Sequence, residues 1–289
     1  MKKSKSPLPY GRFFEPWFIL PHAFNAMIAS AAVATLKSVL PFSNVGAPPN
    51  SPGNDDPDYE NDGGCAICPI KGVMTLRPSD MEKSHYGEVC MQEVGDMIDA
   101  AVADPRVSSI LLDIESPGGT VVGTPELAAR VAAANEKKPV GSFTDTMMGS
   151  AAYYVGSQGE MVMATPSAYV GSIGTIINFT DLSGLYSKLG MKMDVIHNDD
   201  SPLKGTGVPG TSLNADQRAY LTDMVNHSAE MFKDTVRAAR PQIKENAMLG
   251  HVMSGQPALN MGLIDQITNR AGAISAMQAL ARTRNAKLR

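Results

Sequence analysis

Ser150 stands in a run of small residues, Gly149-Ser150-Ala151-Ala152, after a predicted core strand and at the start of a predicted helix. A hydroxyl at such a junction projects from the carboxyl edge of a sheet, and the helix N-terminus favours negative charge on an attacked carbonyl. Serine is also a common helix N-cap. The residue types alone therefore allow Ser150 to be either a nucleophile or a cap.

A serine hydroxyl needs a base before it can attack a carbonyl. None of the five histidines lies in a glycine-rich turn of the kind that presents a triad partner, although a Ser-His-Asp arrangement through distant parts of the chain stays open. A lysine serves instead where burial lowers its pKa enough to leave the amine neutral. Lys204, in a loop of small residues after a predicted strand, is the candidate, although a loop lysine is usually solvated.

A glycine pair follows another predicted buried strand, in Ser116-Pro117-Gly118-Gly119. Glycine allows positive φ and close approach of the backbone to a ligand. Such a turn can present free N–H groups to a developing oxyanion. An ordinary strand-to-helix turn would contain the same residue types.

The elements that must position these residues alternate between strand-like and helix-like segments, which is typical of an α/β domain. A cap formed by Asn214 and Gln217 predicts that the longest helix begins there and runs to about Pro241. A shorter helix is expected after Thr180, and another over 124–135. The predicted strands are 107–114, 140–144, 161–164, 173–178 and 193–197.

Composition divides the chain of 289 residues into four parts. The segment 41–64 is rich in Pro, Gly, Asn and Asp and cannot bury enough apolar surface to order itself, which is typical of a linker. We expect an N-terminal arm over 1–40, this linker over 41–64, a folded domain over 65–270 and a helical tail over 271–289.

The arm begins with lysines and continues into an apolar stretch, which invites a signal-peptide or membrane-anchor interpretation. Pro21, His22, Asn25 and Lys37 interrupt that stretch, whereas a spanning helix needs about 20 predominantly apolar residues. We therefore expect an arm that packs on its own domain or on a neighbouring subunit, with membrane association as the alternative.

Charge and cysteine content narrow the function classes further. A net charge of -4 without a basic stripe does not support nucleic-acid binding. Three cysteines are too few for a disulfide framework, which fits a reducing compartment such as the cytoplasm. Cys65 and Cys68 form a lone C-x-x-C, which is weak support for a metal or redox site, and we expect no metal.

The glycine turn, the Ser150 segment and the lysine loop, in this order, resemble the signal peptide peptidase A (protease IV) family of Ser–Lys peptidases. The resemblance is stronger to the bacteriophage prohead-protease branch of this family. The resemblance runs from about Ile67 to Asp265. Its motifs are I-E-S-P-G-G-T-V at 114–121, G-S-A-A-Y-Y at 149–154, V-G-S-I-G at 170–174, the lysine loop at 201–207, G-Q-P-A at 255–258 and G-L-I-D at 262–265.

The resemblance implies a Clp protease/crotonase-like fold of repeated β-β-α units, in ring-like homo-oligomers whose subunits complete each other's sites. It makes Ser150 the nucleophile and Lys204 the general base. Ser172 would be a second hydroxyl that hydrogen-bonds the lysine and helps to hold it neutral and aimed. Pro202-Leu203 in the lysine loop departs from the shorter polar stretch that is usual in the family.

The resemblance also places an oxyanion hole at the N–H groups of Gly118 or Gly119 and of Ala151. Where family members commonly have Ser-Gly-Gly, this chain has Ser150-Ala151-Ala152, which is more like the phage branch.

The expected function is that of a serine endopeptidase without a cofactor, acting on protein or peptide substrates. The broken apolar segment at 16–21 favours a prohead protease that processes capsid, portal or scaffold proteins, in host cytoplasm or virion precursor. Two alternatives remain: a membrane-associated peptidase that degrades cleaved signal peptides, and a catalytically inactive scaffold subunit of capsid assembly.

Overall fold

The computed structural model describes residues 17–19 and 59–287 of the chain. Most of the predicted arm (1–40) and of the predicted linker (41–64) lies outside these residues.

Strands and helices alternate along the described chain. The strands are β1 (Trp17–Ile19), β2 (Glu60–Asp62), β3 (Cys65–Lys71), β4 (Val73–Thr75), β5 (Glu88–Cys90), β6 (Ser109–Glu115), β7 (Gly118–Thr120), β8 (Val140–Thr144), β9 (Met147–Gly149), β10 (Met161–Ala164), β11 (Tyr169–Gly171), β12 (Val252–Ser254) and β13 (Gln266–Ile267). The helices are α1 (Asp80–Tyr86), α2 (Met91–Ala103), α3 (Thr124–Lys137), α4 (Ala151–Gly156), α5 (Ser183–Lys188), α6 (Ala215–Ala239), α7 (Gly255–Asn260) and α8 (Arg270–Lys287).

A six-stranded sheet with the order β13-β10-β8-β6-β3-β2 forms the centre of the domain. Its strands pair in parallel, except that β2 runs antiparallel to β3. Both faces are covered: Ile110, Leu112 and Ile114 of β6 pack into the main core, whereas Leu111 faces a second cluster with Met277 of α8. Burial on both faces explains why this strand is a continuous apolar run.

The central strands β6 and β8 are each followed by a short strand of a second layer and then by a helix. This gives the units β6-β7-α3 and β8-β9-α4, and β10 is likewise followed by β11. The short strands form a four-stranded sheet, β1-β7-β4-β5, and a three-stranded sheet, β12-β11-β9. The expected α/β fold of repeated β-β-α units is thus confirmed, and the short strands lie beyond the carboxyl ends of the central ones.

The long helix α6 begins where its cap predicts. The Asn214 side chain accepts a hydrogen bond from the N–H of Gln217 at 2.8 Å, and the Gln217 side chain accepts one from the N–H of Asn214 at 3.1 Å. Local sequence is sufficient here because both partners lie within one turn.

Three expectations about elements need correction. The predicted strands at 173–178 and 193–197 are not strands, and the helix expected to be capped by Thr180 is α5, whose N-cap is Leu182. Met193 and Ile196 remain exposed, Ile196 by 94%, because the described chain offers this segment no partner strand. The expected boundary at Cys65 also differs from the structure, since β2 lies within the range expected to be linker.

Candidate active site

Ser150 joins β9 to α4 through an unusual backbone conformation. Its φ of 52° and ψ of -115° lie where side chains rarely occur. Two hydrogen bonds hold it there: its N–H donates to the carbonyl of Gly171 at 2.7 Å, and its carbonyl accepts from the N–H of Tyr154 at 2.8 Å.

The Ser150 side chain does not cap the helix. Its Oγ is buried without a hydrogen-bond partner among the described residues, and the residue is 1% exposed. A buried hydroxyl without a partner costs about 1–3 kcal/mol, and a backbone outlier of this kind costs a similar amount, about 1–3 kcal/mol. Because both costs fall on one serine, the structure favours a functional role over the cap that its sequence position also allowed.

Ser172 lies beside Ser150 and is similarly constrained. Its φ is 55°, it is 5% exposed, and its N–H donates to the carbonyl of His251 at 2.8 Å. The preceding residue, Gly171, is the one whose carbonyl holds the Ser150 N–H. The structure therefore brings together these two predicted site residues, on adjacent strand ends.

The glycine turn lies on the other side of β9. The N–H of Ser116 donates to the carbonyl of Met147 at 2.9 Å, and the N–H of Gly149 donates to the carbonyl of Ser116 at 3.0 Å. Gly118 has a φ of 111°, which favours glycine, and its N–H donates to the Ser116 Oγ at 3.2 Å. Ser116 was not predicted as a functional residue, although it directly precedes the Pro-Gly-Gly of the motif.

Gly119 allows β7 and β4 to approach closely. A Cβ at this position would lie 1.8 Å from the backbone oxygen of Met74, so that no side chain fits without moving a strand. Glycine is thus required at the two positions for different reasons. Gly118 adopts a left-handed conformation, and Gly119 leaves the space that the close approach of β4 needs.

Ala151 is the first residue of α4 and is fully buried. N–H groups in the first turn of a helix have no acceptor within it. The Ala151 N–H and the Gly118 turn therefore flank the end of β9 that carries Ser150.

Lys204 makes no hydrogen bond to the Ser150 hydroxyl in the described chain. Lys204 is exposed, its N–H donates to the carbonyl of Ser201 at 3.1 Å within a turn, and no hydrogen bond joins its amine to the serine, whose Oγ has no partner. No described histidine bonds that Oγ either, and His197 and His251 are exposed. Among the described residues, no base is therefore hydrogen-bonded to the Ser150 hydroxyl.

A cavity of about 400 Å³ lies beside Ser172. Residues of α6 also border it, among them Val225, Ala229 and Lys233, whose amine pairs with the Glu230 carboxylate at 3.0 Å. This cavity is large enough to admit a side chain from outside the described chain.

An ion pair between the buried Arg240 and the partly exposed Asp265 lies near α4. The guanidinium of Arg240 donates to both carboxylate oxygens of Asp265 at 2.7 Å, and the N–H of Val162 also donates to this carboxylate at 2.8 Å. The hydroxyl of Tyr153 donates to the carbonyl of Leu263, also at 2.8 Å, and burial raises the pKa of this phenol. Arg240 was not predicted, and Asp265 was noted only as part of the closing motif.

Cys65 and Cys68 do not form a joint site. Residues three apart in a strand point to opposite faces, and accordingly Cys65 packs toward α8 whereas Cys68 packs into the main core. Burial raises the pKa of Cys68 to about 12. Within 59–287 and 17–19, no group of three or more His, Cys, Asp or Glu residues could hold a metal ion.

Sequence comparison places the site in a known family. The family model for Peptidase family S49 matches residues 132–284, a range that includes Ser150, Ser172 and Lys204. The chain therefore belongs to Peptidase family S49, and the expected family is confirmed.

In the part of the chain that the structure describes, no helix is long and apolar enough to cross a membrane.

Similar proteins include two from bacteriophages. The chain is 27% identical to capsid assembly protease C of Escherichia phage lambda, over 80% of this chain and 52% of that protein. It is 26% identical to a head-tail preconnector protein of Enterobacteria phage P21, over 74% of this chain and 42% of that protein. The chain thus spans about half the length of these curated relatives. A solved enoyl-CoA hydratase/isomerase family member is similar with a TM-score of 0.42 at 12% identity, over 78% of this chain and 74% of that one.

Proposed function

We propose that this chain is a serine endopeptidase in which Ser150 is the nucleophile. The observation that carries the proposal is the buried Ser150 hydroxyl, held without a hydrogen-bond partner on a strained strand-to-helix turn. Such a hydroxyl is free to donate its proton to a base and to attack a carbonyl. A buried serine with a structural role would instead be hydrogen-bonded to neighbouring groups. Membership of Peptidase family S49 supports the same reaction class.

The general base is Lys204, supplied by a neighbouring subunit of a homo-oligomer. A lysine amine in water is protonated at neutral pH, and burial is what makes it neutral. The segment that carries Lys204 is covered with exposed apolar side chains, including Leu189 at 64% and Met193 at 42%, which a subunit contact would bury. Docked in this way, the lysine enters the cavity beside Ser172, whose hydroxyl accepts a hydrogen bond from the amine.

The reaction then proceeds by acyl transfer. The neutral Lys204 amine takes the Ser150 proton while Oγ bonds to the carbonyl carbon of the substrate. The carbonyl oxygen becomes an oxyanion, held by the N–H group of Ala151 and by that of Gly119, or by that of Gly118 once its hydrogen bond to the Ser116 Oγ breaks. Collapse breaks the peptide bond, the leaving amine takes the proton from the lysine, and a water molecule deprotonated by Lys204 releases the acyl group from Ser150.

The proposed substrates are proteins of a phage head, with capsid, portal and scaffold proteins as candidates. The names of the two phage relatives, a capsid assembly protease and a head-tail preconnector, support this choice over the degradation of signal peptides.

The proposal is tested by hydrolysis of casein by the purified chain beside Ser150→Ala and Lys204→Ala variants shown to be folded by circular dichroism. We expect cleavage by the wild type and a loss of more than about 100-fold in both variants, since each removes a group required in the transition state. Cleavage that persists in Lys204→Ala would place the base elsewhere. A wild type that cleaves nothing, in oligomeric form, would instead favour an inactive scaffold subunit.

A further inference from the structure

Strand β7, which contains the glycine pair, has both of its edges covered. On one edge Gly119 pairs with Met74 of β4. On the other edge β1 pairs antiparallel, with Trp17 opposite Thr120, Phe18 opposite Gly119 and Ile19 opposite Gly118. The segment that covers this second edge comes from the N-terminal arm, far from β7 in sequence.

Strand β7 is connected to the strand that carries the nucleophile. Gly118 lies two residues after Ser116, and Ser116 is hydrogen-bonded to Met147 and Gly149 of β9, which ends at Ser150. An exposed strand edge binds extended peptides by adding a strand, and main-chain hydrogen bonds provide the affinity. A substrate peptide paired with β7 would therefore place its backbone beside Ser150.

Strand β1 runs in the direction expected for the residues of a substrate that precede the scissile bond. Residues that precede a scissile bond must run from N to C toward the nucleophile. From Trp17 to Ile19, β1 runs from the partner of Thr120 to the partner of Gly118, which is the end of β7 nearer to Ser116. The residue types also suit the position, because aromatic and β-branched residues favour extended pairing.

We propose that Trp17–Ile19 occupies the edge of β7 on which substrate peptides pair, so that the chain holds its own peptide site closed until a substrate displaces the arm. This proposal rests on the peptidase function proposed above. Because β1 belongs to the same chain as β7, it competes with substrate peptides at a high effective concentration. A short segment is therefore sufficient to occupy the edge. If the edge is free in only a tenth of the molecules, the apparent Kd of a peptide rises about tenfold.

Two proline variants test the pairing and serve as each other's control. The N–H groups of consecutive strand residues point in opposite directions, so only one of Trp17 and Phe18 directs its N–H toward β7. Proline removes that N–H. In the full-length chain, one of Trp17→Pro and Phe18→Pro will therefore lose hydrogen-exchange protection at 118–120, and the other will keep it as in wild type.

The same variants, combined with Ser150→Ala to prevent cleavage, are titrated with a fluorescent peptide containing residues 14–21 of the chain. The variant that loses protection should bind this peptide about tenfold more tightly than its Ser150→Ala parent, and the other proline variant should match the parent. Equal affinities in all three proteins, or protection at 118–120 unaffected by either proline, would overturn the proposal.

Failure of the peptidase function gives a different result. In that case casein is not cleaved by any form with an intact Ser150, while the protection and the peptide affinity still change as expected. Peptide binding to the β7 edge is thus tested without hydrolysis.

Discussion

At the scale of the residue, two serines hold positive φ angles that are rare for residues with a side chain. Ser150 and Ser172 have φ values of 52° and 55°, and both are buried beside one glycine, Gly171, with a φ of 110°. The glycine adopts its conformation at little cost, whereas each serine does so at about 1–3 kcal/mol. Natural proteins keep such strain where function requires it, so stability and activity should oppose each other at Ser150.

Substitutions at Ser150 are therefore expected to stabilise the protein while they abolish its activity. Ser150→Ala removes a buried hydroxyl without a partner and should gain about 1 kcal/mol. Ser150→Gly also relieves the strained backbone and, after the entropy cost of glycine, should be at least as stable as the alanine variant. Urea denaturation measures both changes.

Ser157 provides the matched control for these variants. It is buried at the other end of α4, but its hydroxyl donates to the carbonyl of Tyr154 at 2.9 Å. Ser157→Ala should therefore lose about 1 kcal/mol of unfolding free energy. A wild type more stable than both Ser150 variants would show that Ser150 is a structural residue.

At the scale of the element, α4 carries the residue after the nucleophile and is supported by contacts from distant parts of the chain. Tyr153 reaches the carbonyl of Leu263, and the neighbouring Asp265 is fixed by Arg240 from the C-terminal end of α6. The Tyr154 hydroxyl bonds that of Thr235 at 2.8 Å. The position of the nucleophile thus depends on the docking of α6.

Removal of the charge of Asp265 should destabilise the domain. The Arg240 side chain is 3% exposed, and Asp265→Asn leaves its guanidinium buried without a counter-charge, which costs about 3 kcal/mol. The control is Glu245→Gln, which removes the carboxylate of an exposed pair with Arg237 and should change stability little. Thermal unfolding of both variants measures the difference, and equal melting temperatures would contradict this role for the Arg240–Asp265 pair.

Element prediction from the sequence succeeded where the determining interactions are local or where a strand is buried on both faces. The cap at Asn214 and the buried strand Val140–Thr144 are examples, since one turn of helix or one apolar run is sufficient to define each. The strand expected at 193–197 failed because a strand also needs a partner, which its own sequence cannot provide. The strain at Ser150 and the pairing of β1 with β7 depend on tertiary contacts and were not predictable from local patterns.

At the scale of the whole molecule, the proposed active site is shared between subunits, because the Ser150 hydroxyl has no hydrogen-bond partner among the described residues and Lys204 is exposed among apolar side chains. Ser150 is 1% exposed and Lys204 lies on the surface of the described chain. The resemblance to the Ser–Lys peptidases provided the identity of the lysine. It did not provide the lysine's contact with the serine, which in this proposal crosses a subunit boundary.

Mixed oligomers of Ser150→Ala and Lys204→Ala subunits test whether the site is shared. Each variant alone should be inactive, but co-assembled subunits contain sites with Ser150 from one chain and Lys204 from the other. Casein hydrolysis should then recover to about a quarter of the wild-type rate after random mixing, because one in about four sites receives both intact groups. Inactive mixed oligomers would place serine and lysine in the same subunit.

The nucleophile itself is tested most directly by covalent labelling. The wild-type chain is incubated with a fluorophosphonate probe, digested and mapped by mass spectrometry. We predict a single adduct on Ser150, absent from Ser150→Ala and strongly reduced in Lys204→Ala, because the lysine activates the serine hydroxyl. An adduct on another serine, in a preparation that cleaves casein, would contradict the assignment of Ser150 as the nucleophile.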